Sequence, residues 1–190
     1  MAAARELITL YISLELASIS LYVLSGFLKD EKSTESSLKY LLLGAISSAV
    51  LLYGMALVFG TTGETQLTRI AAAIQAISPN AVSSSPALIV GIVLMIAGFG
   101  FKIAAVPFQM WVPDVYHGAP TPVTLFIGSS PKIAAFALAI RMLVEGLGGM
   151  QGGWDGWQGM LIVLAVLSMG IGNLIAIAQS NIKRMLAYST

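Results

Sequence analysis

The chain has 190 residues, of which 57% are hydrophobic and only 10% are charged, and its mean hydropathy is +0.86. Soluble domains carry about a quarter charged residues, so this composition indicates a polytopic membrane protein. The net charge of +1 comes without a basic stripe, which argues against a nucleic-acid partner, and the lack of cysteine excludes disulfides, thiolate zinc sites and cysteine-ligated iron-sulfur clusters from this chain.

Five apolar stretches are each long enough to cross about 30 Å of hydrocarbon, because an α-helix rises about 1.5 Å per residue. We predict an all-α bundle in which residues 1–190 form a single transmembrane region. The predicted spans are 7–28, 36–60, 86–106, 120–143 and 157–179. Residues 64–77 predict a helix that is too short and too polar to span, which we place at the membrane interface, and a glycine-rich turn at 146–156 precedes the last span.

Prolines interrupt the middle of the chain, and two lysines lie beside the outermost interruptions. A proline cannot donate to the carbonyl four residues back, so Pro107 is expected to break the third span near Ile103, one residue beyond Lys102. Pro131 interrupts the fourth span immediately before Lys132. Charges and freed backbone groups are costly in hydrocarbon unless protein or water satisfies them. Their coincidence is typical of discontinuous helices that line an ion path.

Four ionisable residues fall inside or near the predicted spans, and these are Glu15, Lys39, Lys102 and Lys132. Helix counting places Glu15 about 12 Å deep and Lys102 beside the break, where neither side chain can easily extend to water. A group poised between two charge states is what proton transfer needs. We therefore predict that Glu15, Lys102 and Lys132 carry protons. Lys39 lies in the first turn of its predicted span, where a side chain that reaches interfacial water is an equally good interpretation.

Several other polar residues have structural interpretations. His117 is the only histidine, so we interpret it as structural or as a residue at which protons enter, and not as a metal ligand. Asp114 follows Pro113 and resembles a helix cap or turn former. Arg141 and Glu145 are one turn apart and are either interfacial residues or an i,i+4 ion pair. No motif of a self-contained hydrolase, ATPase or dehydrogenase occurs.

Five blocks of sequence, which together cover most of the chain, carry a resemblance to a known family. They read LELASISLYVL, SSLKYLLLGAISSAVLLYGMALVFGTTG, FKIAAVPFQMWVPDVYHGAPTPVT, SSPKIAAFALAIR and GNLIAIAQSNIKRMLAYST. In these blocks the chain resembles subunit N, also called subunit 2, of the proton-pumping NADH:quinone oxidoreductase, respiratory complex I. The combination of LKYLLLGA with PDVYHGAPTPV favours subunit N over its sister subunits.

The resemblance implies an antiporter-like fold of two inverted five-helix repeats, each with a lysine-bearing broken helix. It also implies that this chain is an internal piece of a longer subunit. By motif, Glu15 matches the glutamate of the family's glutamate-lysine pair, Lys102 its lysine, and Lys132 the next relay lysine. Lys39 matches a lysine whose role in the family is less defined. Where the family often has histidine, this chain has Gln109, which can hydrogen-bond water but cannot titrate.

The resemblance further implies an enzyme subunit, a translocase without a redox site of its own. NADH, FMN, iron-sulfur clusters and quinone would bind to partner subunits, and quinone reduction there would supply the energy. The partners would be other antiporter-like and small membrane-arm subunits together with the lipid bilayer. The expected location is the inner (plasma) membrane of a bacterium, with the mitochondrial inner membrane as the alternative.

Two other interpretations of function stay open. A cation/proton antiporter subunit of the Mrp type would use similar broken helices without any redox partner, and the flanking sequence would separate the two. A structural subunit, in which charges only position helices, is kept open by Gln109. This last interpretation predicts that Lys102→Met is tolerated, because packing and not charge would matter.

Overall fold

The computed structural model describes residues 3–77, 85–148 and 156–190, and the regular elements in these ranges are helices. A 3₁₀ turn (Phe108–Met110) and a π-helical turn (Arg141–Gly146) accompany them. The glycine-rich turn predicted at 146–156 lies mostly outside the described residues. In chain order the helices are α1 (Leu7–Ser25), α2 (Glu31–Thr62), α3 (Leu67–Ala76), α4 (Pro86–Ile103), α5 (Trp111–Gly118), α6 (Thr121–Gly128), α7 (Ser130–Ile140), α8 (Trp157–Ile177) and α9 (Ile182–Ser189).

By length and composition, five helical stretches of the described chain could cross a membrane. They are α1, α2, the segment Pro86–Gly118, the segment Thr121–Gly146, and α8. Helix α2 begins five residues before the predicted start at 36, and the third stretch runs to Gly118, beyond the predicted end at 106. Asp30 caps α2 by accepting a 2.7 Å hydrogen bond from the backbone N–H of Ser33. Lys39 therefore lies in the third turn of α2 and not in the first.

Helix α1 shows how an apolar helix lies between the bundle and lipid. Its buried positions recur every three or four residues, as a helix period of 3.6 requires. They are Leu7, Leu10, Leu14, Ser18, Leu21, Tyr22 and Ser25. The opposite face is equally apolar but exposed, and it includes Ile8, Ile12, Leu16, Ile19 and Val23. One face thus packs in the bundle, while the other offers the apolar surface that a bilayer solvates.

The most extensive helix contact joins α2 to α4. Glycines bring the two backbones together, because a Cβ built on Gly54 would lie 2.7 Å from the carbonyl oxygen of Gly91. Farther along, a Cβ on Gly98 would lie 2.6 Å from the Cβ of Leu51. Small residues at such positions let membrane helices approach closely and gain van der Waals contact. The closely packed pair of α2 and α4 therefore supports the helix break that follows α4.

The first helix break follows α4, where the sequence predicts it. The helix ends at Ile103, and Ala104 takes a left-handed backbone conformation with φ of 63°. The backbone N–H of Val106 donates to the hydroxyl of Ser168 on α8 at 2.9 Å. The indole N–H of Trp111 donates to the Phe101 carbonyl, also at 2.9 Å. Partners from inside the protein thus satisfy these two backbone groups at the break, as a membrane requires.

The second break separates α6 from α7 at Ser129, whose φ of −116° and ψ of −88° are not helical. The Ser129 hydroxyl donates to the carbonyl of Leu125 at 2.9 Å, which satisfies one group at the end of α6. Pro131 occupies the start of α7, where its missing N–H costs least. Lys132 follows in the first turn of α7. The prediction of proline-broken helices in an all-α membrane bundle is confirmed.

The close contact of α2 with α4 predicts a sharp difference between two glycines of α2. Gly54→Ala should destabilise the protein by about 1–3 kcal/mol, because its new methyl group meets backbone atoms of α4. Gly60→Ala is the matched control, since no atom lies within 4 Å of a Cβ built there. The measurement is the thermal unfolding midpoint of the full-length protein in detergent. Equal midpoints for the two variants would contradict this account of the helix contact.

Candidate functional site

Glu15 and Lys102 meet in the interior of the bundle. Helix α1 carries Glu15 and the last turn of α4 carries Lys102, and the Oε1 and Nζ atoms are 3.9 Å apart. Their side chains are 22% and 11% exposed, respectively. The structure thus places side by side the two charges that helix counting buries.

Each member of this ion pair has its shortest hydrogen bond with a hydroxyl group. At 3.9 Å the nitrogen and oxygen are beyond hydrogen-bonding distance. Lys102 Nζ instead donates to Ser18 Oγ at 2.8 Å and, more weakly, to Tyr22 Oη at 3.4 Å. The Ser48 hydroxyl of α2 donates to the carboxylate of Glu15. These polar contacts matter because a buried ion pair recovers its desolvation cost only when further hydrogen bonds complete it.

Lys132 is buried in a different polar environment, with 9% of its surface exposed. Its Nζ donates to Thr190 Oγ1 at 2.8 Å and lies 5.9 Å from the centre of the Tyr116 ring, within the range of a cation-π contact. Within the described part of the chain, no carboxylate forms an ion pair with Lys132. The partners of its positive charge in these ranges are a hydroxyl dipole and an aromatic ring.

Both lysines line one small cavity. Its volume is about 30 Å³, and its walls include Ser18, Lys102, Trp111, Ile127 and Lys132. A cavity needs about 10–15 Å³ to hold one water molecule, which requires two to four polar partners in a protein. The serine hydroxyl and the two lysine side chains meet that need. The cavity thus has the size and lining to hold one water between Lys102 and Lys132.

Lys39 lies in a separate cluster of charges. Its Nζ is 2.8 Å from Glu35 Oε1 and 3.1 Å from Asp114 Oδ2, and its side chain is 45% exposed. The other carboxylate oxygen of Asp114 is 2.7 Å from Arg184 Nη2. No described contact joins Lys39 to Glu15, Lys102 or Lys132. The structure therefore does not bring Lys39 to the buried site.

This cluster also changes the interpretation of Asp114. The residue was expected to cap a helix or form a turn, but it lies in the first turn of α5 and its carboxylate binds two cations. Lys39 belongs to α2 and Arg184 to α9, so Asp114 ties α5 to both helices. Because α9 ends beside Thr190, the partner of Lys132, this ion-pair cluster helps to fix the surroundings of the second lysine.

The other residues singled out from the sequence lie outside the cavity between the lysines. Gln109 lines a larger cleft of about 500 Å³ between the first break and α8, and its Oε1 is buried without a hydrogen bond. His117 lies in the last turn of α5, with Nδ1 similarly unpartnered. Arg141 and Glu145 form the i,i+4 ion pair, at 3.2 Å. Among the described residues, no group of three or more His, Asp or Glu could hold a metal ion.

Sequence reasoning missed four hydroxyl groups at the site, those of Ser18, Tyr22, Ser48 and Thr190. Two of them had a usable signal, because Ser18 and Tyr22 follow Glu15 by three and seven residues and so share its helix face. Ser48 and Thr190 reach the site from other helices, so no local pattern marks them.

The fold and the site together define a class of protein. This is an all-α polytopic membrane protein of the antiporter-like type, with discontinuous helices and a buried lysine at each break. The chain belongs to the NADH:quinone oxidoreductase/Mrp antiporter transmembrane family, whose sequence model matches residues 4–190.

Individual relatives agree with this assignment. The chain is 52% identical over 191 residues to NADH-quinone oxidoreductase subunit N of Thiobacillus denitrificans, and the match covers 100% of this chain and 38% of that relative. A chain of respiratory complex I from Thermus thermophilus superposes with a TM-score of 0.81 at 38% identity, covering 99% of this chain and 38% of that one. An archaeal membrane-bound sulfane sulfur reductase gives a TM-score of 0.83 at 32% identity, covering 98% and 37%. The resemblance to subunit N is confirmed, and the chain spans 38% of the length of that relative.

The cluster around Asp114 predicts measurable coupling between two helices. In a double-mutant cycle of Asp114→Ala and Arg184→Ala, we expect a coupling energy of about 0.5–1 kcal/mol, the upper range for partly exposed pairs. The control pair is Glu64 and Arg69, whose charged atoms are 3.8 Å apart and whose side chains are more exposed. Its coupling should be smaller. Unfolding of the full-length protein in detergent provides the free energies, and strictly additive effects at Asp114 and Arg184 would contradict the prediction.

Proposed function

We propose that this chain is part of a proton-translocating membrane subunit of an NADH:quinone oxidoreductase, in which Glu15, Lys102 and Lys132 form a proton relay. The observation that carries the proposal is the position of Lys102. This buried lysine ends a broken helix, lies 3.9 Å from a carboxylate, and shares a cavity with a second buried lysine. The 52% identity to a subunit N supports the redox-linked form of the activity.

In the proposed mechanism, Lys102 holds a proton while Glu15 stabilises its positive charge. Moving the two charges apart disfavours the charged form of the lysine, since an opposite charge nearby is what favours it. The pair is suited to this change because its two members do not hydrogen-bond each other. A shift of the Glu15 carboxylate away from Lys102 would therefore weaken the attraction without breaking a hydrogen bond between these two side chains. The released proton would pass through the cavity of about 30 Å³.

Lys132 would accept this proton as a neutral amine. The Thr190 hydroxyl and the Tyr116 ring give its ammonium form partial stabilisation. Because none of the described carboxylates pairs with it, the charge on Lys132 is held less firmly than the charge on Lys102 beside Glu15. This asymmetry favours Lys132 as a transient acceptor that passes the proton onward. Lys39, which lies in the cluster around Asp114, stays a prediction as a relay residue.

The energy in this proposal comes from quinone reduction in partner subunits that bind NADH, FMN, iron-sulfur clusters and quinone. The chain would form one transmembrane region of a longer subunit and contact other antiporter-like and small membrane-arm subunits. We place the complex in the bacterial plasma membrane, because the relative from Thiobacillus denitrificans is a bacterial protein.

A cation/proton antiporter subunit of the Mrp type is the second candidate, because the family that matches this chain includes both kinds of protein. The two candidates share the relay and differ in the source of energy. The identity of 52% to a subunit N favours the redox-driven candidate.

Replacing Lys102 tests the relay. In the full-length subunit within its complex, Lys102→Ala should abolish proton pumping and strongly lower NADH:quinone activity, while a native gel shows normal assembly. Lys102→Met should be equally inactive, because it keeps the length of the side chain and removes the titratable group. Pumping is followed with a pH-sensitive dye in membrane vesicles supplied with NADH.

The control for this experiment is Lys32→Ala, which removes an exposed lysine at the start of α2. It should pump like the unmodified complex. Normal pumping by Lys102→Ala would refute the relay, and normal pumping by Lys102→Met alone would favour the structural interpretation. Membranes that exchange cations for protons but do not couple NADH oxidation to pumping would support the Mrp-type candidate.

A further inference from the structure

We propose that Ser18 and Tyr22 are positioning residues for Lys102 and that each favours a different protonation state of its side chain. Ser18 holds the charged ammonium, and Tyr22 holds the neutral amine that remains after proton release. This inference rests on the proposed function, in which Lys102 carries the proton.

The distances around Lys102 Nζ are the first step. The nitrogen lies 2.8 Å from Ser18 Oγ, 3.4 Å from Tyr22 Oη and 3.9 Å from Glu15 Oε1. All three oxygens come from α1, at positions that share one helix face. The nearest partner of the lysine is therefore a neutral hydroxyl, and the carboxylate is the most distant of the three. Ser18 thus helps to decide where the ammonium sits relative to Glu15.

In this arrangement Ser18 acts as an acceptor toward Lys102. Its hydroxyl hydrogen is committed, because Ser18 Oγ donates to the carbonyl oxygen of Leu14 at 2.8 Å. The remaining lone pairs point to the lysine, whose ammonium form has three donors and no acceptor. The hydroxyl of Ser18 therefore matches an N–H group of Lys102, and it has no hydrogen left to offer a neutral amine.

Tyr22 can donate the hydrogen bond that a neutral Lys102 needs. When Lys102 loses its proton, the nitrogen gains a lone pair, and a buried lone pair without a donor is unfavourable. The Tyr22 hydroxyl also faces the Ser18 side chain, and because a phenolic hydrogen can rotate about its C–O bond, it can turn toward Nζ when the lysine is neutral. Tyr22 is also only 4% exposed, which keeps water from competing strongly for that hydrogen. The Tyr22 hydroxyl, 3.4 Å from Nζ, can therefore donate a hydrogen bond to the neutral amine of Lys102.

Packing holds the Tyr22 ring in place. Its edge meets Tyr40, with ring centres 4.6 Å apart and an interplanar angle of 84°, and Tyr40 stacks on Trp111 at the same separation. Trp111 in turn bonds the Phe101 carbonyl, directly before Lys102. Gly44 of α2 leaves room for the hydroxyl, because a Cβ there would overlap Tyr22. The tyrosine and the lysine are therefore anchored to the same helix break.

The test compares variants of the complete complex in a steady-state NADH:quinone assay and in the pumping assay. Ser18→Val and Ser18→Thr form a matched pair of similar shape, of which only threonine keeps a hydroxyl. We expect turnover and pumping to fall about ten-fold in Ser18→Val and to stay near the unmodified level in Ser18→Thr, a difference that corresponds to about 1.4 kcal/mol. Tyr22→Phe keeps the ring and should also lower turnover about ten-fold, with an unchanged KM for quinone.

Tyr53→Phe is the control for loss of a tyrosine hydroxyl, because Tyr53 is 60% exposed on α2, and it should behave like the unmodified complex. Native gels verify assembly for every variant. If Ser18→Thr is impaired as strongly as Ser18→Val, shape and not the hydroxyl matters, and the inference is overturned. Full activity of assembled Tyr22→Phe overturns it equally, also where a serine variant fails to assemble.

Lys102→Ala in the same assays tests the relay separately from the roles of Ser18 and Tyr22. If it pumps normally, the proposed relay itself fails. If Lys102→Ala is inactive while Ser18→Val and Tyr22→Phe are both normal, the relay stands and only the roles of Ser18 and Tyr22 are refuted. Support for both the relay and the two positioning roles requires four results together. Lys102→Ala is inactive, Ser18→Val and Tyr22→Phe are impaired, and Ser18→Thr is active.

Discussion

The constraint on which this structure depends is the burial of a lysine charge inside a membrane bundle. An ammonium group in hydrocarbon is so costly that it must find an opposite charge and further hydrogen bonds. Lys102 finds Glu15, Ser18 and Tyr22 on one face of α1. These side-chain contacts connect one face of α1 to the last turn of α4.

The helix break beside Lys102 adds a second requirement, because it frees backbone groups that lipid cannot satisfy. The structure meets it with groups from distant parts of the chain, the Ser168 hydroxyl of α8 and the Trp111 indole of α5. Trp111 also belongs to the aromatic stack that supports Tyr22, through Tyr40. The groups that stabilise the broken backbone are therefore in contact with those that surround the lysine. A movement of the break would change the position of Tyr22 relative to Lys102.

Much of the fold and the centre of the site could be predicted from the sequence. Long apolar stretches indicate the spans, Pro107 indicates the break at Ile103, and Glu15 and Lys102 stand out because charges are rare in apolar helices. Asp114 was interpreted as a structural cap or turn residue, but its two cationic partners could not be predicted, because they come from residues 75 and 70 positions away. The helical position of Lys39 was misjudged, since α2 begins at the Asp30 cap and not where the apolar run starts.

By itself, the sequence determined the class of fold, because hydropathy and helix periodicity are local properties that do not depend on which helices become neighbours. It also determined which charges are expensive, since each lies in an apolar run or next to a proline. The family resemblance implied the pair of Glu15 and Lys102, but only the tertiary structure showed that its charged atoms are 3.9 Å apart. Only the tertiary structure, likewise, paired Lys39 with Asp114 and gave Lys132 a hydroxyl and a ring as partners. Hydrogen bonds and ion pairs act over about 3–4 Å and depend on which helices become neighbours, and packing of the whole bundle sets that choice.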